Sequence, residues 1–365
     1  MAILVTLNSL YFILNLIFIT TWLKMKENKI QNLSLKDTKL TIIIPVRNEQ
    51  DNILMLLEDL NKQKYPFKNF EVIIANDGST DNTESIVLAF QEVAYYNLKL
   101  LNILTESGVS PKKRAIQKSI EISSGELIIT TDGDCRVSES WLISIEEIYN
   151  QKDAKLISSG VTFIDEKSLW NTFQIIEFAS LIGSGACAML LKKPNMCNGA
   201  NIAYTREVFE EVNGFEGNDH LASGDDEFLM HKITNIYPDK VIFNMDKNAI
   251  VHTKSQPDFS QFYQQRKRWA SKWKHYKDWK VMALAVFIFA VNLGMIYSLF
   301  TQNYFNLALK CLPEFAFLCL IISYLDHKDK IKFIPIVQII YPFYVVFFGF
   351  IAQRKGYNWK DRKLS

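Results

Sequence analysis

Five cysteines in 365 residues (Cys135, Cys187, Cys197, Cys311 and Cys319) form no CxxC pair. No Cys/His spacing suits zinc, whose structural sites draw on closely paired ligands. The five histidines (His220, His231, His252, His275 and His327) make no spaced ligand set either. An odd, dispersed set of thiols points to reduced cysteines in a domain facing the cytosol. Cys135, although beside an acidic cluster, suits a small buried space-filler better than a nucleophile. Excess charge is also missing: 41 Lys and Arg stand against 39 Asp and Glu. Bulk charge therefore lends no support to nucleic-acid binding. No G-x-G-x-x-G follows the first strand-like run, and no Walker lysine motif occurs. Dinucleotide oxidoreductases and P-loop NTPases thereby lose their main sequence support. Internal repeats and low-complexity segments are absent as well.

Long apolar runs are what the chain has at both ends. Residues 2–23 carry no charged side chain and are long enough to cross a bilayer. A cleaved signal peptide wants positive charge before its apolar run, whereas here Lys24, Lys26 and Lys29 follow it. That order predicts an uncleaved anchor over 1–24 with the lysines inside, and a cytoplasmic domain after it. Three further apolar stretches cover 281–301, 304–325 and 333–352, the first two joined by Thr301-Gln302-Asn303. Three crossings would put the C-terminus outside, yet the tail 353–365 (Arg354, Lys355, Lys360, Arg362, Lys363) is basic and prefers the inside. The expectation for 281–352 is two or three transmembrane or re-entrant helices, with Pro313, Pro335 and Pro342 marking breaks.

Between the ends, strand and helix alternate. Leu40–Pro45, Phe70–Ala75, Leu98–Leu104 and Glu126–Thr131 are short apolar runs suited to buried parallel strands. Helical spacing marks 52–60, 81–91 and 111–123. This rhythm predicts an α/β, doubly wound, Rossmann-like and mostly parallel sheet over 38–257, with ligands beyond the strand C-termini.

Four charged clusters fall at such positions. Asp132-Gly133-Asp134 sets two carboxylates on a tight loop after a strand, suited to Mg²⁺ or Mn²⁺ shared with substrate phosphates; an ordinary acidic turn is the plain alternative. Asp77, in Asn76-Asp77-Gly78-Ser79, can accept hydrogen bonds from a base or ribose, or serve with Ser79 and Asp81 in helix capping. Gly224-Asp225-Asp226-Glu227 opens a helix whose dipole favours carboxylate over acid. Asp226 there suits a general base taking a proton from a hydroxyl, against simple charge decoration of a helix end. Gln265-Arg266-Lys267-Arg268-Trp269 lies in a basic, aromatic helix, 258–280, suited both to anionic lipid and to a diphosphate and sugar ring. Lys112, in Lys112-Lys113-Arg114, either contacts phosphates or is surface charge.

The chain resembles the membrane-bound family 2 glycosyltransferases, the inverting group that includes cellulose, hyaluronan and poly-N-acetylglucosamine synthases and ceramide glucosyltransferase. Pro45-Val46-Arg47-Asn48-Glu49, Asn76-Asp77-Gly78-Ser79, the D-x-D, the acidic pair and the uninterrupted Q-R-x-R-W carry the likeness over roughly 38–280. Asn198-Gly199-Ala200-Asn201 with Asn213-Gly214-Phe215 adds an acceptor-side segment. The resemblance implies a GT-A fold flanked by transmembrane helices. For the nucleotide-sugar it implies Pro45, Arg47, Glu49, Asp77, Lys112, Asp132, Gln265, Arg268 and Trp269. It implies Asp134 and Asp132 at a divalent cation, Asp226 with Asp225 as the catalytic pair, and Gly199, Ala200, Asn201 and Trp269 on the acceptor side. Many members have Asp-Asp-Gly where this chain has Asn76-Asp77-Gly78, which loosens base selectivity. The acidic pair is usually Glu-Asp, so Asp225-Asp226-Glu227 leaves the identity of the base open.

The expected activity is inverting transfer from a nucleotide-sugar, UDP-linked, to a hydroxyl of a lipid or glycan acceptor at the cytoplasmic face of the cell membrane. A processive polysaccharide synthase is the competing expectation, a homo-oligomer or secretion partner then completing its channel. A catalytically silent membrane scaffold is the rival from another class. No nucleic-acid partner is expected.

Overall fold

The computed structural model describes residues 2–27, 36–103, 110–221, 223–271, 279–351, 357–359 and 362–364. Lys29, Trp273 and, apart from its two short strands, the basic tail 353–365 lie outside the described residues. Two compact units emerge. One comprises Met1–Glu27, Asp165–Cys187 and Ser255–Ser365, the other Asn28–Ile164 and Ala188–Lys254.

The N-terminal anchor forms helix α1 (Ala2–Glu27) in the first of these units. In the second, β1 (Leu40–Val46), α2 (Ile53–Asn61), β2 (Phe70–Asn76), α3 (Thr83–Gln91), β3 (Asn97–Asn102), α4 (Pro111–Ile122) and β4 (Leu127–Thr130) alternate as the pattern predicts. The helix α2 buries Ile53, Leu56, Leu57 and Leu60 on one face, the 3.6-residue stripe of a sheet-covering helix. Next come α5 (Trp141–Lys152), β5 (Leu156–Ser159) and β6 (Val161–Phe163). After the helix α6 (Leu169–Leu190) follow β7 (Ile202–Thr205), α7 (Arg206–Glu211), α8 (Asp225–Ile236), β8 (Val241–Asn244) and β9 (Val251–Thr253).

Seven strands make one sheet in the order β3-β2-β1-β4-β7-β5-β8. Only β7 runs against the others, pairing antiparallel with both β4 and β5. The mostly parallel, doubly wound sheet expected from the sequence is therefore present. Strands β1, β2 and β4 are buried along their length, with Ile42, Ile43, Ile44, Val72, Ile73, Ile74, Ile128 and Ile129 fully enclosed. That is why they read as continuous apolar runs rather than alternating ones.

The other unit is helical: α1, α6, α9 (Phe259–Ser271), α10 (Trp279–Phe300), α11 (Tyr304–Tyr324) and α12 (Ile334–Ile351). Helices α1 and α11 run alongside in the same direction, joined by Phe18 on Phe317 and Trp22 on Tyr324. Close approach is secured by small residues: a Cβ at Gly183 would come 2.6 Å from Ile321, and one at Gly294 2.3 Å from Leu4. Among the described residues, five helices, including α6, are long and apolar enough to cross a membrane. Two differences from the sequence reading stand out. Helices α11 and α12 continue through Pro313 and Pro342 instead of breaking there. Helix α6, placed by pattern inside the 38–257 domain, groups up to Cys187 with the terminal helices; its apolar length is the reason.

Candidate active site

Because β1, β2 and β4 are parallel, their C-terminal ends share one edge of the sheet. Arg47, Asp77 and Asp132 leave from those ends. Antiparallel β7 brings its N-terminal approach to the same edge, since Ile202 pairs with Thr130. A bond from Thr130 Oγ1 to the Gly199 carbonyl, 2.9 Å, holds that approach in place. Four of the motifs from the sequence thus converge at one edge.

At the first two strand ends, the Arg47 guanidinium donates to the carbonyls of Asp77 and Gly78, both at 2.8 Å. Gly78 sits at φ +65, where a side chain would be strained. Pro45 lies within β1 opposite Ala75, and the Glu49 carboxylate accepts from Asn52 at 2.7 Å, so both shape the loop beside Asp77. Asp77 itself pairs with Arg114 at 2.9 Å, both side chains buried. Sequence reasoning gave Arg114 no specific role. Its only signal was the basic run Lys112-Lys113-Arg114, which does not say which of the three turns inward.

At the third strand end, Lys112 Nζ stands 2.8 Å from Asp132 Oδ1 and 3.4 Å from Asp225 Oδ2. Burial works to discharge this ammonium, but Asp132, Asp225 and Asp226 outweigh it and hold its pKa far above the ordinary lysine value. Asp226 is fixed by backbone: Gly199 N–H donates to its Oδ2 and Glu227 N–H to its Oδ1, each at 2.8 Å. Both bonds orient the carboxylate at the start of α8. A Cβ on Gly199 would lie 3.0 Å from Asp225 Oδ2, 3.3 Å from Lys112 Nζ and 3.5 Å from Asp226 Oδ2. Glycine here leaves the space in which two carboxylates and one ammonium meet. Tyr204, buried beneath, has a hydroxyl with no hydrogen-bond partner, its pKa raised by burial and then by Asp225.

Asp134 accepts from Thr253 Oγ1 at 3.1 Å, which ties the D-x-D loop to β9. Cys135 is buried, and burial followed by Asp134 and Asp132 pushes its thiol well above the usual range. Among the described residues, no group of three or more His, Cys, Asp or Glu side chains is arranged to hold a metal ion. Two carboxylates with one-sided access are nevertheless what Mg²⁺ or Mn²⁺ takes when phosphates complete its shell. Asp132 keeps 40% of its side-chain surface exposed against 14% for Asp225, so the open side belongs to the D-x-D. Asn201 faces the interior: its amide binds the carbonyls of Gly160 and Ala249 and accepts from Trp141 Nε1. Ala200 is buried beside it.

Gln265, Arg268 and Trp269 lie on α9, in the helical unit. There the Trp269 ring rests against Phe178, 5.8 Å between centroids, and Gln265 accepts from Arg266. Arg266 is buried between the rings of Phe262 and Trp269 and bonded to Glu177 of α6.

A doubly wound sheet with carboxylates beyond its strand ends is that of an α/β protein that takes its ligand at this edge. The profile for Glycosyl transferase family 2 matches residues 41–212, and that for Glycosyl transferase family group 2 matches residues 127–352. The chain belongs to glycosyl transferase family 2. It is 29% identical over 195 residues to glycosyltransferase AglE of Haloferax volcanii, covering 53% of this chain and 61% of AglE. It is 31% identical over 144 residues to dolichyl-phosphate beta-glucosyltransferase ALG5D of Trichomonas vaginalis, covering 36% of this chain and 43% of that protein. The matched part thus spans less than two thirds of either relative. Among solved structures, mannosyltransferase PcManGT of Pyrobaculum calidifontis, in complex with GDP-Man and Mn²⁺, superposes with TM-score 0.57 at 19% identity, over 94% of this chain and 98% of PcManGT. That likeness is one of fold, and the fold is GT-A.

Proposed function

We propose that this protein transfers a sugar from a nucleoside diphosphate donor to an acceptor hydroxyl, with inversion, at the cytoplasmic face of a membrane. The observation that carries the reading is the meeting of Lys112, Asp132, Asp225 and Asp226 around Gly199 at the sheet edge that also bears Asp77. In this reading Asp77, positioned by Arg114 and flanked by Arg47, receives the nucleoside. Asp134 and Asp132 are the residues that would hold a divalent cation, Mg²⁺ or Mn²⁺, which supplies charge neutralisation at the diphosphate. Lys112 adds positive charge on the same side.

Asp226 acts as the base. Its two backbone bonds hold it in place, whereas Asp225 is engaged by Lys112. As the acceptor oxygen bonds to the anomeric carbon, Asp226 takes its proton, and the bond from that carbon to the diphosphate breaks on the opposite face. Nucleoside diphosphate departs. Gln265, Arg268 and Trp269 are assigned to the diphosphate and acceptor sugar, Arg268 through its planar fork and Trp269 through its ring face.

A lipid acceptor is the favoured class. Helices long and apolar enough to span a bilayer support it, as does similarity to a relative named a dolichyl-phosphate glucosyltransferase. Full-length protein with lipid, offered UDP- and GDP-sugars, should release nucleotide with one donor and label an extractable lipid. EDTA and Asp226→Asn should both abolish release, Asp226→Asn while keeping donor binding. Full activity of Asp226→Asn removes the mechanism, a long polymeric product removes the lipid acceptor, and donor binding without release under any condition favours a silent scaffold.

A further inference from the structure

The ammonium of Lys112 is bonded to Asp132 Oδ1, one of the two carboxylates assigned to a divalent cation. We propose that Lys112 is a resident counter-cation that a metal ion must displace from Asp132, and that the donor diphosphate is where it goes. The proposal rests on the donor and metal reading above and adds to it a coupling between the two ligands.

Three observations carry it. First, Lys112 stands in the first turn of α4, followed by Lys113 and Arg114, with no acidic residue in that turn. Positive charge at a helix N-terminus opposes the helix dipole, so nothing local favours a lysine there. Its partners are instead Asp132, at 2.8 Å, and Asp225, at 3.4 Å, which come from other elements. Second, room for this contact is provided at Gly199, where a Cβ would stand only 3.3 Å from Nζ. Third, Asp132 keeps 40% of its side-chain surface exposed, so a cation from solution can reach it.

Mg²⁺ or Mn²⁺ would compete with the ammonium for Asp132, since two cations on one carboxylate repel each other. An anion that comes between them relieves that repulsion. A diphosphate is such an anion: it draws Lys112 away from Asp132 and completes the ion's shell. Metal alone should then bind weakly, and nucleotide should tighten it, the same factor applying in reverse.

The test measures Mn²⁺ binding, not turnover. Full-length protein in detergent with lipid is titrated with Mn²⁺, and free ion is read by electron paramagnetic resonance, with and without UDP or GDP. In the wild-type protein nucleotide should tighten Mn²⁺ by about tenfold or more. Lys112→Met should bind Mn²⁺ alone about tenfold more tightly than wild type, and nucleotide should then add little. Lys112→Arg, which keeps the charge, should retain the wild-type coupling. Should Lys112→Met fail to fold, Lys112→Gln makes the same comparison. A lysine that merely braces the fold cannot produce tighter metal binding on removal. Unchanged or weaker Mn²⁺ binding by the neutral variant, with normal nucleotide coupling in wild type, overturns the displacement alone. No Mn²⁺ binding by wild type with either nucleotide overturns the metal reading and the displacement with it.

Discussion

Arg266 and Glu177 form a two-pronged ion pair, Nε to Oε1 at 3.3 Å and Nη2 to Oε2 at 2.5 Å, with 3% and 2% of their surfaces exposed. Tyr344 of α12 donates to the same Oε1 at 2.9 Å. Three helices, α6, α9 and α12, are therefore tied at one carboxylate, and the guanidinium is held between the rings of Phe262 and Trp269, at 4.4 and 4.2 Å.

Removing one partner leaves the other charge buried and unpaired. Arg266→Met or Glu177→Gln should each destabilise the helical unit by about 3–5 kcal/mol, read as a fall in the thermal midpoint in detergent. The double replacement Arg266→Met with Glu177→Leu should recover much of that loss, because no charge remains to desolvate. Recovery of stability without recovery of activity would separate the placement of Arg268 and Trp269 from mere cohesion of the helices. A double variant no more stable than the singles would contradict the account.

Gly199 offers a second test. Its φ lies outside the left-handed region, so alanine should fold normally and leave the thermal midpoint within a few degrees. The added methyl would nevertheless stand 3.0 Å from Asp225 Oδ2 and 3.3 Å from Lys112 Nζ, and both must give way. A misplacement of a few tenths of an ångström at reacting groups predicts that Gly199→Ala lowers kcat/KM by about 10- to 100-fold. Wild-type kcat/KM would show that Lys112, Asp225 and Asp226 need not meet closely.

The nucleotide end of the site makes a third prediction. Asp77 and Arg114 are both buried and 2.9 Å apart, so Arg114→Met removes a buried cation from beside the Asp77 carboxylate. Stability should drop by about 3 kcal/mol and nucleotide binding should weaken with it. Arg114→Lys should restore part of each, since one charge can be supplied without the fork. Calorimetric titration with UDP and GDP reads the binding; unaltered affinity in Arg114→Met would dissociate Asp77 from the nucleoside.

What could be read beforehand followed from local chemistry. Ile42-Ile43-Ile44 and Val72-Ile73-Ile74 are buried on both faces, so their strands declare themselves as unbroken apolar runs, and Asp77 and Asp132 follow at the strand ends. What escaped depends on partners distant in sequence. Arg114 meets Asp77 across 37 residues, and Glu177 meets Arg266 across 89. In α6 the single charge of an otherwise apolar stretch, Glu177, finds its partners on α9 and α12, far along the chain. Pro313 and Pro342 suggested breaks because proline removes a backbone donor; neighbouring helices make it tolerable inside long apolar helices.

Glu71 is the residue expected to set the acid limit of the sheet. Lying in β2 away from the catalytic edge, its carboxylate accepts from Lys99 Nζ at 2.7 Å, from Ser124 N–H at 2.5 Å and from Thr41 Oγ1 at 2.9 Å. Gly125 packs so closely against Thr41 that a Cβ would lie 2.5 Å from its backbone nitrogen. Burial pushes the Glu71 pKa up, but these bonds outweigh it and hold it below the ordinary value of 4.5. A pKa depressed in the folded state contributes stability that is complete above the unfolded value and is lost as pH falls through the folded one. Thermal midpoints of the wild-type protein should therefore hold from neutral pH down to about 5 and decline below 4.5, as protonation of Glu71 removes an acceptor from Lys99 and Ser124. Glu71→Gln should start lower, by about 2 kcal/mol, and decline less steeply over the same interval. Midpoints for Glu71→Gln that fall in parallel with wild type would place the acid-sensitive group elsewhere, with Asp81, whose pKa is also lowered, as the next residue to replace.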